Sequence, residues 1–488
     1  MRWINVVPPS PELLAVGVHP GELENAFDRI RTELKVPDTF APEVLAEAES
    51  AATQPRLPDR DETAAPFLTI DPPGSRDLDQ AMLIERSGGG YRLRYAIADV
   101  PAFVIPGGAV DTEARRRGQT VYAPDRRTPL HPERLGEDAA SLLPGRPRPA
   151  YVWDIVLDAD GEETSVDLYR AMIASHDRLD YAQVQAAIDG GTADERLTLL
   201  ADVGKLRIDL ERARGGASLP MPEQEVTRDA DGRYLLGFRP PVPAEDWNAQ
   251  VSLLTGMAAA QIMLHGGIGI LRTMPEPEAG PVNRFRRQAR ALGVVWPAES
   301  LYGEFLRSLD RNNPRHLALV HEATALFRGA GYTPFDDGEV PDATGHAAVA
   351  APYAHVTAPL RRLVDRFGLV VCEALCRGVD VPDWAKQALP ALPEVMAASD
   401  RLANAVERAC TDVVEAASLQ GRIGDTFAAS VVDTSPRGAL VQVSEPAILA
   451  PCDGPAQLGA EVRARLVTAD VATRTVRFTV DVGGETTS

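Results

Sequence analysis

The chain has 488 residues, 44% of them hydrophobic and 25% charged, which is the balance of a globular protein long enough for two to four domains. No apolar run is long enough to span a membrane. The N-terminal "MRWINVVPPSPELL" lacks the basic start and apolar core of a signal peptide, so a cytoplasmic protein with no membrane partner is expected. A net charge of −20 excludes a protein that coats nucleic acid by bulk electrostatics, but not one with a local basic channel.

Lys35, Lys205 and Lys386 are the only lysines. The positive charge is therefore nearly all arginine, which suits phosphate forks and is equally the product of a GC-rich genome. Of the four cysteines, Cys372 and Cys376 stand one helical turn apart. No second close Cys/His pair follows, so they read as buried reduced thiols rather than half of a metal site.

In chain order, "HPGELENAFDRIRTEL" and "APEVLAEAESAA" predict two helices, the second with Pro at its first turn. "TQPRLPDRDETAAP" reads as a polar linker, and the N-terminal stretch is too short for a pair of small β-barrels. From Phe67 the pattern changes to strands: "FLTI", "AMLIER" and "YRLRYAIAD", with a hairpin turn at Ser87–Gly90 and another at Asp158–Gly161. Helices then dominate, in "DYAQVQAAI", "ERLTLLADVGKLRIDLERARGG", "WNAQVSLLTGMAAAQIMLH" and "APLRRLVDRFGLVVCEALC". A long helix is expected from Pro393 toward Gln420, ended by Gly421. Five short strands close the chain in about sixty residues, the signature of an OB-type barrel. The fold class is α+β, divided as 1–62, 63–422 and 423–488.

The densest chemistry lies in "TIDPPGSRDLDQAM", where Asp71, Asp77 and Asp79 crowd around a Pro-Pro-Gly turn. Clustered carboxylates repel, so a loop that holds three together needs a cation or must keep one protonated. Hard oxygen ligands at this density suit Mg²⁺ or Mn²⁺ and metal-assisted phosphoryl hydrolysis. Asp77 and Asp79 are two apart and on a strand would face one way, and the turn lets Asp71 fold back to them. The alternative on these residues alone is a solvated acidic turn.

The loop resembles the signature of the ribonuclease II and ribonuclease R family, which reads T-I-D, five residues, then D-x-D-D. The resemblance continues in family order through "AIADVPAF", "RRRGQTVYAPDRRTPLHPERL", "ASHDRLDYAQVQ", "ASLPMPEQEV" and "PYAHVTAPLRRLVDRF". It implies a hydrolytic exoribonuclease with an RNB-type catalytic domain, releasing nucleoside 5′-monophosphates from the 3′ end of single-stranded RNA with Mg²⁺, or Mn²⁺ in its place. Carried over by position, Asp71, Asp77, Asp79 and Gln80 fall on the metal site, and Asp77, Asp79 and Arg361 on the catalytic group. Tyr122, Tyr181, Glu407 and Arg362 fall on RNA-contacting positions. Read without the resemblance, Tyr122 and Tyr181 fit core tyrosines tethered by their hydroxyls, and Arg361 or Glu407 fit helix ion pairs. A monomer is expected.

The sequence departs from the family pattern at Gln80, where a fourth aspartate is usual. A neutral ligand weakens a metal site, so Gln80→Asp is expected to lower the Mg²⁺ requirement or raise the rate. The alternative function is an RNA-binding regulator on the same fold that has lost turnover. Ser252 and Ala259 stand where the family carries polar or acidic residues, and Leu363 where it has tyrosine. The terminal barrel has only Phe427 and Phe478 as aromatics, few for a base-stacking surface.

Overall fold

Two closed five-stranded barrels, one near each end of the chain, carry most of the β-structure. The computed structural model describes residues 14–15, 20–217, 223–228, 234–239, 241–310, 313–323, 326–436, 438–443 and 447–481. Part of the "ASLPMPEQEV" block, Ser218 to Pro222, lies outside the described residues.

The first barrel runs Phe67–Ile70, Gln80–Ser87, Gly90–Ala98, Pro147–Leu157 and Glu163–Leu179 in sequential order, and the first strand closes on the last in parallel, Leu68 beside Asp177 and Ile70 beside Leu179. Its side chains alternate between two cores. Met82, Ile84, Leu93, Tyr95 and Trp153 face one, while Ala81, Leu83, Ala96, Ala98 and Val152 face the other. The first core is completed by the helices Glu195–Arg214, Pro243–Gly266 and Leu363–Cys376. The second is completed by the helix Pro42–Thr53 and the long connection from Val100 to Leu142. Burial on both faces is why these strands read as nearly continuous apolar runs.

Both anticipated hairpins form, the first pairing Ser87 with Gly90 around Gly88 at φ 58°, the second turning at Gly161 with φ 81°. The helix Tyr181–Asp189 starts at a capping box between Asp180 and Gln183. The long helix spans Leu392–Leu419 and tightens into a 3₁₀ turn at Gln420–Arg422. All five terminal strands close as an OB-type barrel, with Ile448–Asp453 parallel to Thr475–Val480.

Three readings need correction. The polar stretch after Thr53 is not a free linker: Arg56 donates to the carbonyls of Pro101 and Val104, and Asp61 bridges to Met172. Asp77 and Asp79 lie in a loop, since the strand begins at Gln80. The helix expected from Ala358 begins only at Leu363, because Ala358 to Arg361 close a turn on the Ala358 carbonyl, Arg362 is extended at φ −129°, and the Arg361 carbonyl bonds outward to Thr120. Both N-terminal helices form, Pro20–Glu33 and Pro42–Thr53, and ahead of them Leu14–Ala15 adds a strand to a hairpin of Glu223–Arg228 and Tyr234–Arg239.

Candidate active site

The aspartate loop is fixed before its carboxylates meet anything. Asp71 extends the strand Phe67–Ile70, its N–H donating to the Leu179 carbonyl at 3.1 Å. The chain reverses through Gly74 at φ 84°. Leu78 is fully buried, and its N–H donates to Ser141 Oγ at 2.9 Å while that hydroxyl donates to the Arg76 carbonyl at 2.6 Å. The Asp79 carbonyl accepts from Ala98 N–H at 2.9 Å. A buried leucine and one serine thus hold the backbone that presents Asp77 and Asp79.

The three carboxylates occupy different surroundings. Asp77 is engaged on both oxygens: Arg127 donates to Oδ1 at 2.5 Å and the Tyr122 hydroxyl donates to Oδ2 at 3.3 Å. Arg127 is itself held by Glu137 at 2.7 Å. Asp79 has no solvent exposure; its Oδ1 accepts the Leu360 N–H at 2.7 Å, and its Oδ2 stands 3.3 Å from Arg361 Nη1 with no aligned hydrogen bond. Asp71 is buried, and its Oδ2 has no hydrogen-bond donor. Burial pushes the Asp71 carboxyl up to about 7, with the Arg361 charge opposing and Asp77 adding to the rise. Burial likewise holds Asp79 well above the usual carboxylate range, against Arg361 and the Leu360 N–H.

Arg361 comes from the opposite side of the site. Its backbone carbonyl accepts from Thr120 N–H at 2.9 Å, and its own N–H donates to Ala358. Burial disfavours its charge, but Asp79, Tyr122 and Asp71 around it keep it ionised. Tyr122 and Tyr181 flank the carboxylates; burial keeps both phenols protonated, helped by Asp77 for Tyr122 and by Asp71 for Tyr181. Asn248 donates to the Tyr181 hydroxyl at 3.1 Å. Tyr122 follows the helix Ala109–Arg117 through Gly118 at φ 72°, where a Cβ would lie 2.6 Å from Ser399 Oγ. Gly256 permits a similar approach, because a Cβ there would lie 2.1 Å from the Tyr353 ring.

The structure therefore gathers Asp71, Asp77, Asp79, Arg361, Tyr122 and Tyr181, with Gln80 at the edge. Gln80 Nε2 donates to the Thr357 carbonyl. Arg362 is turned elsewhere, its guanidinium closed on Asp365 by bonds of 2.9 and 2.7 Å. Glu407 is half-buried on the helix Leu392–Leu419, which packs through Val406 into the cluster containing Val121. Ser252 shares a hydrogen bond of 2.8 Å with Tyr95, which lies behind Asp71. Sequence reasoning missed Arg127, Glu137, Ser141 and the backbone of Thr357 and Leu360. Arg127 sat inside the motif "VYAPDRR" and Thr357 and Leu360 inside "PYAHVTAPLRR", but nothing local marked the first as a partner of Asp77 or the backbone of the other two as partners of Gln80 and Asp79.

Among the described residues, no three His, Cys, Asp or Glu side chains converge in ready metal-ligating geometry. Yet Asp71 Oδ2 and Asp79 Oδ2 are buried carboxylate oxygens without hydrogen bonds. A hard divalent cation is the group that satisfies such oxygens and reverses the rise in their pKa, so the residues fit one.

The RNB domain family matches residues 59–373, and the RNase II-type exonuclease C-terminal S1 domain matches residues 425–481. Ribonuclease R of Aquifex aeolicus is 27% identical over 467 residues, covering 90% of this chain and 64% of that protein. Ribonuclease R of Escherichia coli is 30% identical over 318 residues, covering 62% of this chain and 38% of that one. The chain thus spans less than two thirds of either relative. Among solved structures, Mycoplasma genitalium RNase R in complex with ribose-methylated single-stranded RNA superposes with a TM-score of 0.84 at 19% identity, covering 94% of this chain and 78% of that one. Yeast Ssd1, a pseudonuclease, superposes at 0.68 and 17% identity, covering 92% of this chain and 57% of that one.

Proposed function

Because the chain belongs to the RNB domain family, with that family's mixed α/β fold and an OB-like terminal barrel, we propose that it is a hydrolytic 3′-to-5′ exoribonuclease acting on single-stranded RNA. The observation that carries the reading is the pair of undonated buried oxygens, Asp71 Oδ2 and Asp79 Oδ2, with Arg361 Nη1 3.3 Å from the latter. Asp71 and Asp79 would hold Mg²⁺ or Mn²⁺, with Asp77 and Gln80 beside them. Such a cation supplies Lewis-acid charge neutralisation and acidifies a water for attack on a phosphodiester.

The protein's own groups supply the remainder. Arg361 stabilises the charge that builds on the phosphate, and its fixed backbone keeps that donor in place before substrate arrives. Tyr122 and Tyr181 offer ring faces on which the last bases stack, with sequence-tolerant affinity. Arg127 and the Tyr122 hydroxyl orient Asp77. Glu407 completes the RNA-contacting set, while Arg362, paired with Asp365, holds the segment that presents Arg361. Residues 1–62, 63–422 and 423–488 act as the N-terminal region, the catalytic domain and the RNA-binding barrel of a cytoplasmic monomer.

The reaction is tested by identifying products. Nucleoside 5′-monophosphates released from a linear RNA, with a DNA strand of the same sequence left intact, are expected. Internal fragments or 3′-phosphorylated nucleotides would contradict it. A second reading, an RNA-binding protein without turnover, is favoured by one observation, glutamine at position 80 where the family has aspartate. It predicts a stable complex with RNA and no product in either metal.

A further inference from the structure

Gln80 opens the barrel strand Gln80–Ser87, and its backbone is paired with Ile97. Its side chain therefore leaves a rigid wall. The amide nitrogen donates to the carbonyl of Thr357, a residue only 4% exposed. Because the partner is a carbonyl oxygen, only the NH₂ end of the amide can face it. The neighbouring Asp79 accepts from the N–H of Leu360 at 2.7 Å. The first residue of the barrel strand and the loop residue before it thus grip one short segment at two points, one donating and one accepting. That segment ends in Arg361, whose guanidinium meets Asp79.

From this geometry we infer that Gln80 is a positioning residue: its amide donor, together with the Asp79 carboxylate, clamps the Thr357–Leu360 backbone and sets Arg361 against the aspartates. The role needs a donor, and a carboxylate at position 80 has none. An aspartate would also be one methylene shorter and would leave the buried Thr357 carbonyl without its bond, an unsatisfied acceptor. The glutamine that departs from the family pattern is thus matched to a partner in this chain. Gln80→Asp should slow the protein, not speed it. This replaces the expectation that a restored carboxylate improves the site. The inference deepens the hydrolytic reading and rests on it for its kinetic arm alone.

Two variants test the clamp, Gln80→Glu, which keeps the length and loses the donor, and Gln80→Met, which loses the donor without adding charge. Hydrogen exchange resolved to residues 358–362 is the first readout. Both variants are expected to exchange about tenfold faster there, the scale of one lost bond to a buried carbonyl, while residues 426–480 keep wild-type protection and so report an intact fold. The second readout is steady-state shortening of RNA, with kcat about tenfold lower and KM nearly unchanged, as for a lost transition-state alignment. Wild-type protection of 358–362 in both variants would overturn the clamp, as would a Gln80→Asp protein faster than wild type. If the wild-type protein leaves RNA intact, the hydrolytic reading fails, while the exchange measurement still decides on the clamp.

Discussion

The two barrels share a closed five-stranded design and differ in what they bury. The terminal barrel buries apolar side chains, with Phe427 and Phe478 packed edge to face at 5.7 Å inside it. None of its described buried side-chain nitrogens or oxygens lacks a hydrogen bond. The first barrel carries at one end two buried carboxylates, Asp71 and Asp79, each with one oxygen, Oδ2, that has no donor. The first arrangement favours stability and the second favours a ligand, since an unsatisfied buried charge persists only where something else compensates it. The two aromatics of the terminal barrel are core residues, so its contribution to RNA is expected from exposed arginines.

The comparison predicts effects of decreasing size. Asp79→Asn should abolish RNA shortening, and Arg361→Ala should lower kcat by about 10²–10³-fold, as for removal of a preorganised charge donor; a rate within threefold of wild type in either would remove that residue from the site. Phe478→Ala should destabilise the terminal barrel by about 3–5 kcal/mol, measured by denaturant melting, as for other large core truncations. Millimolar Mg²⁺ should raise the melting temperature of the wild-type protein and not that of the Asp71→Asn, Asp79→Asn double variant. An equal shift in both would mean that the cation binds elsewhere.

Acid should weaken the first barrel's surroundings through His131, which is 2% exposed and hydrogen-bonded to the backbone of Pro359, beside the Arg361 segment. Burial, with Arg366 nearby, lowers its pKa from 6.5 to about 3. The unfolded chain therefore takes up a proton that the folded one refuses, and stability present above pH 6.5 is lost as pH falls toward 3. A His131→Gln variant should show a shallower loss over that window. The smallest effect is expected on the terminal barrel's surface, where Arg463 and Arg465 are exposed on one face of a strand. Replacing both with Ala should weaken RNA binding modestly and flatten its salt dependence by about one unit of slope per lost phosphate contact.

Much of this was legible in the sequence because local signals and family motifs coincide with the structure. The two hairpins, the terminal strands and the aspartate loop all stand where their turn residues and charges put them. The segment before Leu363 was misread as helix because its apolar spacing is helical. What holds it in a turn is mostly distant: Gln80, Asp79 and Thr120, joined by the nearby Asp365 carboxylate, which accepts from the Ala358 N–H. Gln80 itself was read by what it lacks relative to aspartate. Its use as a donor depends on a carbonyl 277 residues away, which no local pattern records.

The central claim, that the buried aspartates form a working hydrolytic centre, is tested most directly on a 5′-labelled, unstructured RNA with Mg²⁺, with Mn²⁺ and with EDTA, and with Asp79→Asn alongside. A metal-dependent ladder that shortens from the 3′ end and is absent from the variant is predicted. RNA that binds the wild-type protein and stays intact in both metals would contradict the claim.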